Sequence, residues 1–410
     1  RREIRQMEGA YYDAEKINRS RERLNRLGYF NEVNIETPSV SGTTDQVDVN
    51  VSVTEKSTGN IMLGAGFSSS EGLVLSGSVS QANVFGTGNR LSAQLNSGSV
   101  NTVYSLSFTN PYFTLDGISL GYDLYRRDVD AEELDDVSAY ETSTIGAGMR
   151  FGLPVNERDF ISFGLTYEDT TLEVYSDDDP LNESIQERFV REFGEENDTV
   201  RLDASWARDT RNSFLFPTKG LFQRISAEVG TPLGSLQYYK LSFQHQQFFS
   251  LGKNFTLMLN GEVGIGDGLN DKPLPFFKNF YAGGTSSVRG FSNGTLGPKD
   301  LYGDALGGDT RVVGNAELIF PLPGLKDDQS LRMSAFIDAG AVWGPSDGNP
   351  LNPYNGLFEE FAFDDMRYSA GIAVLWVSPM GPLKFSLAQP LVEKDGDETE
   401  VFQFTLGNTF

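Results

Sequence analysis

A single arginine stands among glycines in the stretch Phe280 to Pro298, FYAGGTSSVRGFSNGTLGP. Arg289 is the only strong cation between Lys278 and Lys299. Its planar guanidinium offers five donors in a fork that grips carboxylates or phosphates two oxygens at a time, which lysine cannot do. Gly283, Gly284, Gly290, Gly294 and Gly297 free the surrounding backbone to take left-handed angles and to approach other structure closely. The stretch is too glycine-rich for an ordinary strand, which leaves two readings, a floppy surface loop or a loop folded back into an interior and pinned there by Arg289.

Other residues with chemical potential are sparse. His245 is the sole histidine and lies in the alternating stretch Phe243 to Phe249. A place on a strand wall suits it better than a role as catalytic base, since no serine with an orienting polar partner accompanies it. Asp177 to Asp179 lack the spaced ligands and turn glycine of a calcium loop and read as a solvated acidic loop. Gly264 to Gly268, GIGDG, is a strand end, because no helix follows to receive a phosphate. Without cysteine there is no disulfide, thiolate nucleophile or sulfur-ligated zinc site. The expectation is a protein that is not an enzyme and has no cofactor or metal site.

What must hold Arg289 in place is a long β-structure. Only 39% of the residues are hydrophobic, and no run approaches the roughly 18 to 20 apolar residues of a transmembrane helix. A membrane barrel stays open, because its strands show only alternation. The formal charge of −24 repels phosphate backbones, so nucleic acid is not an expected partner.

The first 55 residues read as a small α/β unit. Tyr12 to Leu27 suits an amphipathic helix, with Asp13 near its start and Gly28 as its stop. Strands are expected at Val33 to Thr37 and Val47 to Val53, with the valines of the second burying one face of a small sheet under the helices. After Lys56 the period becomes two. Sixteen strand-like segments follow, at about 60–69, 72–83, 89–97, 100–110, 117–127, 139–151, 158–171, 198–210, 220–230, 236–250, 254–265, 309–320, 331–343, 366–378, 381–389 and 400–410. Most are close to the roughly 9 to 11 residues with which a tilted strand crosses a bilayer.

Connection lengths add a test that strand propensity cannot. The long connections, 128–138, 172–197, 266–308 and 344–365, all fall at odd positions, while the even ones are short turns. One end of the sheet therefore carries the bulk, as in transmembrane barrels with long external loops and short periplasmic turns. The N-terminal unit precedes an upward first strand and so belongs in the periplasm. In the last segment Phe402, Phe404, Leu406 and Phe410 point one way and Gln403, Thr405 and Gly407 the other, and a terminal aromatic suits a membrane interface. Pro180 to Phe193 reads as a short amphipathic surface helix in a long loop.

These features carry a family resemblance. RREIRQMEGA, RSRERLNRLGYF and DQVDVNVSVTEK in residues 1–55 resemble most of a last POTRA domain, without its opening strand. TNPYF (Thr109 to Phe113), NFYAGG (Asn279 to Gly284), VRGF (Val288 to Phe291), GPK (Gly297 to Lys299) and SPMGPLKFSLAQP (Ser378 to Pro390) are similar to barrel motifs of the BamA family of outer-membrane protein assembly factors. The implied fold is mainly β: a 16-stranded antiparallel transmembrane β-barrel (57–410) preceded by a truncated α/β POTRA domain (1–56), with loop 266–308 folded into the lumen. The implied site is a lumen latch in which Val288, Arg289, Gly290 and Phe291 meet Glu317 and Asp338 on the inner wall.

The resemblance also implies a place in the cell outer membrane and a function, folding and inserting other β-barrel proteins without ATP. The implied partners are the lipoprotein subunits of an assembly complex, unfolded outer-membrane protein clients and outer-membrane lipid. A second candidate site is a lateral seam between the first and last strands, involving Ile61, Gly64, Gly66 and Phe67 on one side and Phe402, Phe404, Gly407 and Phe410 on the other. Glycines within strands permit kinks, and equally they relieve crowding where a barrel closes. The alternative functions are a translocation-type barrel secreting a dedicated passenger and a passive porin.

Overall fold

The computed structural model describes all residues except 70, 115, 135–136, 138, 175–183, 214–215, 301–302, 323–329, 345–361, 379–380 and 407–410. The N-terminal unit consists of α1 (Ala14–Arg26), β1 (Phe30–Glu36) and β2 (Asn50–Glu55). Then come β3 (Gly59–Ser68), β4 (Gly72–Ala82), β5 (Arg90–Ser97), β6 (Asn101–Asn110), β7 (Ser119–Asp130), β8 (Tyr140–Pro154) and β9 (Asp159–Val174). A helix, α2 (Ile185–Phe193), precedes β10 (Glu196–Asp209), β11 (Gly220–Gly230), β12 (Tyr238–Ser250) and β13 (Thr256–Gly268). The two-residue β14 (Gly290–Phe291) leads to β15 (Thr310–Pro321), β16 (Leu331–Trp343), β17 (Arg367–Ser378) and β18 (Gly381–Val392). Another two-residue piece, β19 (Thr399–Glu400), stands before β20 (Phe402–Leu406).

Sixteen of these strands close into an antiparallel barrel, with β20 beside β3 and every other barrel strand beside its neighbours in sequence. All sixteen expected segments are strands, with ends shifted by a few residues. The largest change is near the C-terminus, where Thr399 and Glu400 form β19, which leaves the barrel wall, and the last barrel strand, β20, begins at Phe402. Side chains alternate as the period demands. Leu73, Leu75 and Val79 of β4 are 52–58% exposed outward, whereas Val74 is buried. Apolar surface of this extent would be a liability in water and is the lipid-facing band of a membrane barrel.

The N-terminal unit departs from expectation in one respect. Asp13 caps α1 by accepting from the N–H groups of Glu15 and Lys16, and Gly28 ends the helix with φ of 70°. Ile17 and Leu24 pack on Ile35 of β1. The valines of β2, however, are not covered: Val51 and Val53 are about 40% exposed, as is Val47 before them. Among the described residues one helix lies over β1, which is too narrow a layer to shield β2 as well.

At the end of the barrel with the long connections, α2 forms part of a cap. Ser184 and Glu187 make a capping box at its start, and Phe189, 1% exposed, packs against Phe276, Phe277, Tyr140, Leu236 and Tyr238. The connection between β13 and β15 passes beneath this cap into the lumen, where Val288, Phe291 and Leu296 are fully buried against Val313 and Val342.

Candidate functional site

Arg289 lies just before β14, with 3% of its surface exposed. Its Nε and Nη2 donate to Oδ2 and Oδ1 of Asp338 at 2.7 and 2.9 Å, a fork-to-fork pair, and Nη1 donates to Oε2 of Glu317 at 3.2 Å. The backbone N–H of Arg289 adds a bond to Asp338 Oδ2 at 3.1 Å. Asp338 is wholly buried, so these donors replace its lost water. Burial alone would loosen the guanidinium proton, but the two carboxylates outweigh it and hold the group above its usual pKa.

The hairpin of β15 and β16 explains why the two carboxylates converge. Asn315 stands opposite Asp338, and Glu317 opposite Phe336. With side-chain period two, all four residues face the lumen. Phe336 supplies a floor, since the guanidinium carbon of Arg289 lies 3.4 Å from its ring centroid. Asn315 completes the site, donating to Asp338 Oδ1 at 2.9 Å and to the Ser287 carbonyl at 2.7 Å.

Two glycines are required here by geometry. Gly290 has φ of 92°, and a Cβ on it would stand 3.1 Å from the Cβ of Ala388. Gly340 on β16 makes room for Val288, whose Cγ2 would lie 2.5 Å from an added Cβ. Val288 and Phe291 fill the apolar space on either side of the arginine, so the VRGF tetrapeptide is used residue by residue.

The loop is also tied to a distant part of the wall. Lys278 reaches Glu168 of β9 at 3.4 Å, and Glu168 is joined there by Arg201 of β10 and the hydroxyl of Tyr125. Tyr125, Glu168 and Arg201 border a cavity of about 600 Å³ that is also lined by Asp123, Asp203, Glu228 and Lys240. His245 is a wall residue, as expected, with Nδ1 2.9 Å from the amide of Gln223.

The seam is short. Among the described residues β20 and β3 share two register pairs, Thr405 with Ser68 and Leu406 with Phe67, whereas β3 and β4 share ten. One further bond runs from the Ser69 N–H to the Phe404 carbonyl at 3.2 Å. Phe67 and Phe404 stack with centroids 5.7 Å apart, and Phe402 continues the stack outward. Ile61 and Leu63 are 72% and 86% exposed. Gly64 and Gly66 lie in β3, where a Cβ on Gly64 would meet the Ser76 hydroxyl at 2.6 Å, so this glycine relieves crowding with β4. Gly407 and Phe410 lie outside the described residues.

A closed barrel of sixteen strands with an arginine loop in its lumen narrows the possible relatives considerably. The model of the Omp85 superfamily domain matches residues 83–410. The chain belongs to the Omp85 superfamily. A POTRA model, described as a surface antigen variable number repeat, matches residues 1–56. BamA of Neisseria meningitidis serogroup B is 43% identical across the whole chain, which covers 54% of that protein. BamA of Nitratidesulfovibrio vulgaris is 33% identical, again over the whole chain and over 49% of its own length. The chain thus spans about half the length of these two relatives.

The crystal structure of BamA from Haemophilus ducreyi lacking POTRA domains 1–3 superposes with a TM-score of 0.89 at 32% identity, covering all of this chain and 81% of that one. CdiB from Acinetobacter baumannii, at 14% identity and a TM-score of 0.61, shares the fold. The barrel is therefore an outer-membrane barrel of BamA type, with its POTRA region in the periplasm.

The family resemblance brought Val288, Arg289, Gly290, Phe291, Glu317 and Asp338 together, and in the structure Arg289 bonds both Glu317 and Asp338 with Val288, Gly290 and Phe291 beside it. Sequence reasoning missed Phe336, Asn315, Gly340, Lys278 and Gln403. Phe336 had a signal, since it stands two residues before Asp338 and period two puts both on one face. Lys278 and Gln403 had none, because their partners are remote in sequence.

Proposed function

We propose that this chain is the membrane-embedded part of a machine that folds and inserts outer-membrane β-barrel proteins, without ATP and without enzymatic chemistry. The BamA relatives are named as outer-membrane protein assembly factors, and similarity at this level supports the same activity here. The observation that carries the mechanism is the seam, where the last strand, β20, closes the barrel on the first, β3, with two register pairs among the described residues. A strand edge at such a closure can part and offer unpaired N–H and C=O groups to an incoming client strand, a form of β-augmentation. Unfolded barrel proteins and outer-membrane lipid are the interacting species, and lipoprotein subunits complete the complex.

A passive porin would need an open lumen, and the loop from β13 to β15 occupies this one. The deciding experiment reconstitutes the protein, with the POTRA repeats its relatives carry, into liposomes and supplies an unfolded barrel client. Faster client folding than in empty liposomes supports the proposal; equal rates sink it.

A further inference from the structure

The latch and the seam meet at one side chain. Gln403 lies on β20 with its carboxamide in the lumen, 1% exposed, and it holds the latch backbone with both ends. Its Oε1 accepts from the Gly290 N–H at 3.2 Å, and its Nε2 donates to the Phe291 carbonyl at 2.7 Å. The adjoining chain continues the grip. Gly290 pairs with Glu400 and Phe291 with Thr399 as β14 and β19, and the Ser292 N–H donates to the Glu398 carbonyl at 3.0 Å. The residue just before this clamp is Arg289, fixed by its own N–H and guanidinium to Asp338.

We infer that Gln403 is a positioning residue that couples the latch to the lateral seam, so that β20 stays beside β3 only while the VRGF segment is docked. If β20 moved outward with the latch in place, a buried amide donor and acceptor would both lose their partners, at a cost for each group left unsatisfied. By reciprocity, releasing Arg289 weakens the seam to the same degree that opening the seam weakens the latch. Undocking of the loop therefore precedes or accompanies strand departure. The inference rests on the seam reading only for its consequence in client assembly, since the coupling itself is a property of the protein alone.

The absence of cysteine provides the test. Ser68 is 3% exposed and opposite Thr405 at the seam, so a Ser68→Cys reporter reacts with a maleimide when β20 leaves. Each variant is first shown to be folded by heat-modifiable gel migration, and labelling is then followed without client. Gln403→Ala is expected to raise the labelling rate about tenfold through the loss of its two hydrogen bonds to the latch and a third to Glu400 at 3.2 Å. Gln403→Glu, which sets a buried carboxylate against the Phe291 carbonyl and the Glu400 carboxylate, labels at least as fast as Gln403→Ala.

Arg289→Lys, which touches nothing on β20, also accelerates labelling. The double variant labels no faster than the faster single, because both changes break one link. Parental labelling in Arg289→Lys, or effects that multiply in full, overturns the coupling. The seam reading is tested separately by client folding with a Ser68→Cys/Thr405→Cys disulfide. A locked barrel that still assembles clients sinks that reading and leaves the coupling standing.

Discussion

Replacing Arg289 by alanine tests the latch most directly, and the structure sets the size of the effect. The substitution removes the three guanidinium bonds to Asp338 and Glu317 and the stack on Phe336. Breaking a buried ion pair by deleting one partner costs on the order of 3 to 5 kcal/mol, because the remaining charge is left without compensation. Two features place this case near the lower end. Asp338 keeps the Asn315 amide at 2.9 Å and the backbone N–H of residue 289 at 3.1 Å, which alanine retains. Glu317, with 16% of its side chain exposed, can recover water. About 3 kcal/mol corresponds to roughly a hundredfold shift from docked to released loop.

Limited proteolysis of residues 280–298 reads the shift, and heat-modifiable migration reports whether the barrel loosens with it. The partners are expected to rank by burial, with Asp338→Asn close to Arg289→Ala and Glu317→Gln smallest, at about 1 kcal/mol. Arg289→Lys is intermediate, since a compact ammonium cannot grip both oxygens of Asp338 and reach Glu317 together. Parental protease resistance in Arg289→Ala, or a larger effect from Glu317→Gln than from Asp338→Asn, would refute the reasoning.

Other changes probe the surrounding parts. Gly290→Ala forces a Cβ into a left-handed position against Ala388, so the loop should become protease-sensitive with every charged partner intact. Gly340→Ala intrudes on Val288 from the opposite wall and should raise loop cleavage in the same assay. Locking Ser68 to Thr405 by a disulfide is geometrically permitted. Ser69 and Phe404 are hydrogen-bonded, so the next pair is the closer, non-bonded type, with Cα atoms about 4.5 Å apart, within disulfide reach. Client assembly should stop in the locked protein and return on reduction. Lys278→Met removes the tether to Glu168 and should expose residues 274–280 to protease before residues 288–291.

Much of the architecture was legible because membrane strands must alternate, and because a barrel sorts its connections into a bulky end and a short end. That is why sixteen strands could be marked and the latch loop assigned to the bulky side. The small sheet was less legible. Val51 and Val53 alternate as a buried face would, yet coverage depends on how many helices lie above them, which a local pattern cannot state. The start of the last strand was also hidden, since Thr399 and Glu400 have the propensity to continue β20 and instead pair with Gly290 and Phe291 across more than a hundred residues.

The sequence by itself determined the strand count, the alternation of faces along the strands and the lone arginine of the loop, because the first two follow from period and connection length, while the carboxylates of the latch came from the family resemblance. Only the tertiary structure decided that Phe336 lies beneath the guanidinium, that Lys278 crosses to Glu168, and that Gln403 joins the latch to the seam. The physical reason is barrel closure. Rolling the sheet brings β20 to β3 and encloses the loop between walls that are remote along the chain, so the contacts that depend on that closure leave no local trace.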